Sequence, residues 1–216
     1  MKTFKDLLEH HLFVEAEELL LEDVEYAEDL MDELSDEAYK FIEPHWSAAN
    51  TGDMISTPVD ILKEISDFVN FKKNSTLVDL GSGHGYPSFV FSALNPTLKI
   101  TGLELVEAKV LGAKKTVDRL NLENLEFKVQ DLSDENVEIP LADYYFMHNP
   151  FNKEVAVEIA DRLFQIARKN EIIILSTGGR ELKPLLELGF KTRGKVDSFC
   201  VEILSLNTLE QLKTSK

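Results

Sequence analysis

The chain has 216 residues, of which 44% are hydrophobic, and a formal net charge of −16. This composition supports one α/β domain with a sizeable core and excludes a globally disordered chain. No apolar run approaches the roughly 20 residues of a membrane span, and the single cysteine, Cys200, excludes an intrachain disulfide. The first residues lack the apolar stretch of a secretory signal, so we expect a cytoplasmic protein without a membrane partner.

The acidity is concentrated in the first third of the chain. Residues 1–70 contain 19 Asp and Glu against four Lys, whereas residues 71–216 contain 20 acidic and 19 basic residues. A negative field repels phosphate backbones, which makes nucleic acid an unlikely partner. The excess either attracts a basic protein or forms the solvated face of an amphipathic module, and we favour the solvated face.

Apolar residues at helical spacing predict two N-terminal helices, over 3–21 and 23–43. Pro44 ends the second helix, because the residue before a proline is pushed out of the helical region. Residues 44–56 form a predicted linker that contains Trp46. Thr57 and Pro58 then begin a helix that extends to about 71, with Thr57 as its N-cap. We therefore divide the chain into an acidic helical module with its linker, 1–54, and a second domain, 55–216.

From residue 75 onward, predicted strands alternate with predicted helices. The strands lie near 76–80, 98–104, 124–129, 143–147 and 171–176, with helices near 86–94, 106–120 and 151–169. This alternation indicates a parallel sheet covered on both faces. After a short helix over 181–187, the runs 190–193 and 198–206 are separated by turn-forming residues, which predicts an antiparallel hairpin at one edge.

The most specific motif follows the first of these strands. Asp79 lies near the strand's end, and a loop with glycine at every second position comes next, Gly81-Ser-Gly-His-Gly85. Glycines allow backbone N–H groups to approach a ligand closely. Glu104 ends the next strand, where a carboxylate can accept both hydroxyls of a ribose. These features together predict a nucleoside-binding βαβ unit.

The spacing of the glycines favours S-adenosylmethionine over a dinucleotide. Dinucleotide sites carry G-x-G-x-x-G, whereas here Tyr86 stands where the third glycine would be, and Pro87 lacks an N–H that could hold a phosphate. S-adenosylmethionine has no phosphate, and its ammonium suits the carboxylate of Asp79. A nicotinamide-dependent oxidoreductase is the alternative, but no Tyr-x-x-x-Lys pair is present.

On these residues the chain resembles the class I S-adenosylmethionine-dependent methyltransferases, over about residues 55–206. That family has an α/β fold with a seven-stranded Rossmann-like sheet, whose last hairpin supplies one antiparallel strand. The resemblance implies S-adenosylmethionine as the cofactor and places Asp131 near its adenine amino group. It implies a cofactor-binding set of Asp79, Gly81, Ser82, Gly83, Gly85, Glu104 and Asp131.

A narrower resemblance concerns the methyl acceptor. Thr57-Pro58, the Asp-Leu-Gly-Ser-Gly core and Asn149-Pro150-Phe151 are similar to protein-lysine methyltransferases of this fold, which adds Thr57 to the cofactor-binding set. The Asn149 segment is also similar to the Asn-Pro-Pro-aromatic motif of amino-methyltransferases, with one proline instead of two. In that motif the asparagine accepts a hydrogen bond from the target amine and the aromatic ring packs on the acceptor. The resemblance thus implies Asn149, Pro150 and Phe151 as catalytic residues.

A plainer alternative for this segment is an ordinary helix start, with Asn149 as N-cap and Pro150 as the first helical residue. We expect a methyltransferase acting on an amine nitrogen, with a protein lysine as the first acceptor and a small-molecule amine as the next. Nucleic-acid N-methylation and a non-catalytic domain that docks a basic partner are the remaining alternatives. His10 and His11 have no third ligand at metal spacing, so no metal is predicted.

Overall fold

A computed structural model describes residues 2–32, 57–177, 179–196 and 201–206. Three helices come first: α1 (Phe4–Glu9), α2 (Phe13–Asp32) and α3 (Val59–Val69). Strands and helices then alternate in the order β1 (Thr76–Leu80), α4 (Tyr86–Leu94), β2 (Lys99–Glu104), α5 (Glu107–Leu120), β3 (Leu125–Val129), β4 (Tyr144–Met147), α6 (Lys153–Ala167), β5 (Ile173–Ser176), α7 (Gly179–Glu187), β6 (Lys191–Val196) and β7 (Val201–Ser205). The predicted alternation is confirmed.

The strands form one seven-stranded sheet in the order β3-β2-β1-β4-β5-β7-β6. Neighbours from β3 to β5 are parallel, whereas β7 is antiparallel to both β5 and β6. The predicted seven-stranded α/β fold, with its edge hairpin, is therefore confirmed. The residues that join β6 to β7, 197–200, include Cys200 and lie outside the described residues.

Both faces of the sheet are covered, because successive strand residues alternate between two apolar clusters. Leu77 belongs to the cluster formed with α1 to α5, and Val78, the next residue, belongs to the cluster formed with α6 and α7. Burial on both faces explains why the central strands consist of nearly continuous apolar residues. None of the described helices is long and apolar enough to cross a bilayer.

The prediction of one continuous helix over 3–21 is wrong, because the structure has two helices there, α1 and α2. His11 adopts a left-handed conformation, with φ of 56°, and a helix of L-residues does not continue through such a residue. The expected boundary between residues 21 and 23 is also wrong, because α2 passes through it with Leu20 and Val24 buried in the same cluster. The predicted helical residues 33–43, the linker with Trp46 and the domain boundary at 54/55 lie outside the described residues.

Candidate functional site

The candidate site lies at the carboxyl ends of β1, β2 and β4. Strand β1 pairs with β2 on one side and with β4 on the other. The connections that follow β1 and β4 lead to opposite faces of the sheet, since α4 and α6 belong to different apolar clusters. Open parallel sheets bind ligands at this kind of topological switch point, outside the carboxyl ends of the strands.

The loop after β1 requires its glycines. Gly81, Gly83 and Gly85 all have positive φ values, of 73°, 55° and 89°. A Cβ atom added to Gly85 would lie 2.6 Å from the Phe127 ring, whereas one added to Gly83 would meet nothing within 4 Å. The backbone at Gly83 therefore faces open space, as a cradle for a ligand would.

Glu104 is held beside this loop by the backbone. Its Oε2 accepts a hydrogen bond from the Gly83 N–H at 2.8 Å, and its Oε1 accepts one from the Val106 N–H at 3.0 Å. The residue is only 8% exposed. These two contacts orient the carboxylate along the glycine loop, beside the position where a ribose would lie according to the sequence prediction.

Asp79 is a buried carboxyl group at the end of β1. It is 2% exposed, and its Oδ2 accepts a hydrogen bond from Ser88 Oγ at 2.7 Å. Burial raises the pKa of Asp79 to about 7; the charge of Glu104 acts in the same direction, and the Ser88 hydrogen bond opposes it. No cation is paired with this carboxyl group within the described part of the chain, which fits the ammonium of S-adenosylmethionine.

Ser82 supplies a second sign that the loop is built for a ligand. Its Oγ is buried and, among the described residues, has no hydrogen-bond partner. Buried polar atoms are normally paired, so an orphaned hydroxyl in a glycine loop is typical of a site that a ligand completes. Ser82, Asp79 and the open cradle at Gly83 together fit the predicted cofactor.

Asp131 lies in the loop after β3. Its Oδ1 accepts hydrogen bonds from the N–H and the hydroxyl of Ser133, at 2.9 and 2.6 Å. Arg162, on α6, donates to the carbonyl oxygens of Leu132 and Val137 and so holds this loop against the domain. Nothing in the sequence signalled the contribution of Arg162, because its partners are 30 and 25 residues away.

The helix-start alternative for the segment after β4 is wrong. Helix α6 begins at Lys153, and its N-cap is Asn152, whose side chain accepts from the Val155 N–H at 2.9 Å. Asn149 instead has a left-handed backbone, with φ of 46°, and takes no part in the cap. Two asparagines three residues apart were both plausible caps, and only the fold selects between them.

Pro150 brings the segment onto the glycine loop. A Cβ atom added to Gly81 would lie 2.2 Å from Pro150 Cβ, so the two loops are in direct contact. Phe151 is 6% exposed and belongs to the apolar cluster of α6 and α7. The buried ring favours a packing role for Phe151 over contact with an acceptor.

The prediction that Thr57 is the N-cap of a helix is wrong. Helix α3 begins at Val59, its N-cap is Pro58, and the hydroxyl of Thr57 forms a 2.5 Å hydrogen bond with His148 Nδ1. Thr57 is fully buried, and burial lowers the pKa of His148, which favours the neutral imidazole. No local pattern signals this pair, since the two residues are 91 positions apart.

No metal site is present in the part of the chain that the structure describes, since no three His, Cys, Asp or Glu residues there are placed to hold an ion. His10 Nδ1 instead lies 2.7 Å from the carbonyl oxygen of Asp6. Of the predicted cofactor-binding residues, Asp79, the glycine loop, Glu104 and Asp131 lie at the carboxyl ends of β1, β2 and β3, whereas Thr57 contacts His148, the residue after β4.

Comparison with known proteins gives two kinds of relatives. The ribosomal RNA small subunit methyltransferases G of Lactobacillus acidophilus and of Aster yellows witches'-broom phytoplasma are 38% identical over 56 residues and 43% identical over 67 residues. These matches cover 26% and 31% of this chain, and only 23% and 30% of the relatives' own length. The solved structure of a SAM-dependent methyltransferase from Aquifex aeolicus aligns over 67% of this chain and 88% of its own chain. The sequence identity is 20% and the TM-score is 0.53, which shows a shared fold.

A family model described as a methyltransferase domain matches residues 71–204, which is more than half of the chain. The match runs from just before β1 to the last strand, β7, and includes the glycine loop, Glu104 and Asp131. The chain therefore belongs to the methyltransferase-domain family, the class I methyltransferases that use S-adenosylmethionine.

Proposed function

We propose that this protein transfers a methyl group from S-adenosylmethionine to an amine nitrogen, with a protein lysine as the first candidate acceptor. The observation that carries the proposal is the contact between Pro150 and Gly81. It sets Asn149, which does not cap α6, beside the glycine loop of the cofactor site. An acceptor held by Asn149 would thus lie close to the reactive end of the cofactor.

The residues of the glycine loop fit the cofactor. Asp79 would pair with the ammonium group, Glu104 would accept the ribose hydroxyls, and the loop backbone would lie along the ligand at Gly83. Asp131 would accept from the adenine amino group, while the proposed cofactor-binding role of Thr57 is the least direct, since its hydroxyl is bonded to His148. When bound, S-adenosylmethionine supplies a methyl group activated by a positive sulfur.

The acceptor side acts by alignment. The side-chain oxygen of Asn149 would accept a hydrogen bond from the amine and aim its lone pair at the methyl group. Because the transfer is a direct displacement, most of the rate comes from orientation and exclusion of water. Phe151, buried behind the loop, fixes the position of Asn149 and Pro150 by packing.

Charge favours a basic protein segment as the acceptor. Residues 1–70 carry a large excess of carboxylates, and the described part of this region, α1 to α3, packs on the same domain as the site. Opposite charge increases the rate of encounter with a lysine-rich segment. The carboxylates also oppose the loss of the lysine proton, so the target nitrogen must be desolvated when it binds.

Ribosomal RNA is the second candidate, and the names of the curated relatives favour it. Those names do not support the expectation that nucleic acid is an unlikely acceptor. The matches with these two relatives, however, cover less than a third of their length.

The decisive experiment transfers labelled methyl groups from S-adenosylmethionine into a lysate of the source cell, which is then divided into protein, RNA and small-molecule fractions. Glu104→Ala serves as the inactive blank, and Glu107→Ala, which changes an exposed carboxylate three residues away, serves as the matched control. Label recovered as methyl-lysine supports the first candidate, and label in RNA supports the second. Label in small molecules alone discards both polymers, and no label above the blank overturns the proposal.

A further inference from the structure

Helix α2 is anchored to the methyltransferase domain by a buried carboxylate. Asp23 is 4% exposed and accepts hydrogen bonds from Thr116 Oγ1 at 3.0 Å and Arg119 Nε at 2.9 Å. Lys115 adds an ion pair at 3.6 Å. All three donors lie on α5, so the acidic helix has a defined position against the domain.

Close packing reinforces this anchor. A Cβ atom added to Gly112 of α5 would lie 2.9 Å from Ala27 Cβ and 2.9 Å from the Asp23 carbonyl oxygen. Ala16 and Leu20, on the preceding turns of α2, are 0% and 1% exposed. Glu17, which directly follows Ala16, is therefore carried on a helix that is packed firmly against the domain.

Glu17 reaches the start of α3. Its Oε1 accepts a hydrogen bond from the Val59 N–H at 3.2 Å. Pro58, the N-cap, has no side-chain group that could do this, and the hydroxyl of Thr57 is engaged by His148. A carboxylate at the N-terminus of a helix is favourable because it satisfies an unpaired N–H and interacts with the helix dipole.

The same carboxylate lies close to the first residue of α4. Burial raises the pKa of Tyr86 to about 12, and the charge of Glu17 acts in the same direction. Glu17 thus stands near the beginnings of two helices, α3 and α4, that border the candidate site. Both Glu17 and α3 lie outside residues 71–204, the part that the family model matches.

We propose that Glu17 is a positioning residue for the acceptor side of the site. By capping α3, it holds Thr57 in place; Thr57 in turn holds His148, the residue directly before Asn149. We call this series of contacts the Glu17 relay. The relay itself stands on the structure, and only its connection to an acceptor rests on the proposed function.

The relay is tested first without any acceptor. In the full chain labelled with ¹⁵N-histidine, the ring signals of His148 are identified by their loss in His148→Gln. We expect Glu17→Ala and Thr57→Val to shift these signals, and the double variant to match Thr57→Val alone, since both changes act through one contact. Glu18→Ala, which alters the exposed neighbour on the same helix, should leave them in place.

The relay is overturned if folded Glu17→Ala keeps the wild-type His148 signals while Thr57→Val shifts them. If alanine prevents folding, Glu17→Asp replaces it, since this change withdraws the carboxylate by one methylene group and should also shift the His148 signals. Glu17→Gln keeps a side-chain oxygen that can accept a hydrogen bond from the Val59 N–H, so its His148 signals should match those of the wild type. Shifted signals in that variant would count against a hydrogen-bond cap.

The effect on the reaction is measured with the acceptor fraction that the wild-type protein labels in lysate. We expect Glu17→Ala to slow methyl transfer about tenfold, while the Kd for S-adenosylmethionine, measured by calorimetry, changes less than twofold. Equal losses in rate and affinity would contradict positioning of the acceptor side alone. Since the His148 signals need no acceptor, failure of the relay and failure of the proposed function are distinguishable.

Discussion

The cofactor side and the proposed acceptor side of the site are formed by contacts between residues at different separations along the chain. On the cofactor side, Asp79 bonds with Ser88, nine residues away, and Glu104 bonds with Gly83, 21 residues away. On the acceptor side, Thr57 contacts His148 across 91 positions, and Glu17 caps Val59 across 42. The cofactor contacts lie within the matched family model, whereas Glu17, Thr57 and Val59 lie outside it. His148 and Asn149, the other members of the proposed acceptor side, lie within the match, so this side joins residues of the family model to residues outside it.

The two sides also differ in what the fold tolerates. The cofactor loop contains glycines with positive φ, a buried carboxyl group with a raised pKa and an orphaned hydroxyl at Ser82. Such features reduce stability and are expected where a ligand compensates for them. On the acceptor side, the hydroxyl of Thr57 and the N–H of Val59 already have partners within the chain.

The largest effect is expected at Glu104. Glu104→Ala should weaken S-adenosylmethionine binding about 200-fold, because it removes the ribose acceptor and leaves the N–H groups of Gly83 and Val106 without their partner. Calorimetry measures the change, with Glu107→Ala as the control that keeps wild-type affinity. If Glu104→Ala weakens S-adenosylmethionine binding less than threefold, the cofactor does not bind at Glu104.

Asn149 and Asn152 form the next pair. Asn149→Ala should lower turnover about 100-fold with unchanged cofactor affinity, because it removes the group that orients the acceptor. The positive φ of Asn149 should also make this variant less stable, since alanine is strained there. Asn152→Ala removes the cap of α6 and should lower the free energy of unfolding by about 1 kcal/mol, with turnover close to wild type. Reversed outcomes for the two asparagines would show that the acceptor is held elsewhere.

Alanine substitutions at Gly81 and Gly83 distinguish a steric clash between the two loops from backbone strain alone. Gly81→Ala should lower the free energy of unfolding by about 2–3 kcal/mol, because its Cβ would collide with Pro150 and its φ is positive. Gly83→Ala suffers only the strain, about 1 kcal/mol, since nothing lies near its Cβ. Urea unfolding compares the two variants, and equal losses would contradict the contact between the loops.

Asp79 should give the clearest pH dependence. Its raised pKa means that the folded chain keeps the proton up to about pH 7, whereas the unfolded chain releases it near the ordinary aspartate pKa of about 3.9. Stability is therefore lost as the pH rises through this range, and Asp79→Asn should be more stable than wild type at pH 8 by about 1–2 kcal/mol. The advantage should shrink at pH 5, as measured by urea unfolding.

The same group should make cofactor binding depend on pH. The ammonium of S-adenosylmethionine pairs only with the ionised carboxylate, so the affinity of the wild-type protein should rise as the pH passes through about 7. Asp79→Asn should bind more weakly and lose this dependence. Identical affinity profiles for the two proteins would show that the ammonium is bound by another group.

Local patterns predicted the geometry of the glycine loop and of Glu104 beside it, while their roles in cofactor binding remain proposals. The apolar strand β1, the glycine spacing and the position of Glu104 depend on neighbouring residues, and the structure brings all of them together. The cap predicted at Thr57 and the alternative cap at Asn149 are wrong, as is the continuous helix over 3–21. Thr57 suits a helix cap but is engaged by His148, and Asn149 suits a cap that Asn152 supplies.

By itself, the sequence determined the alternation of strands and helices and the glycine loop, because periodicity and backbone freedom act over a few residues, and the family resemblance implied the seven-stranded sheet. Only the tertiary structure decided that Pro150 lies on Gly81, that α2 carries Glu17 to the start of α3, and that Thr57 meets His148. These contacts depend on how separate layers pack. A hydroxyl or carboxylate pairs with whichever group that packing brings within hydrogen-bond distance, wherever it lies in the chain.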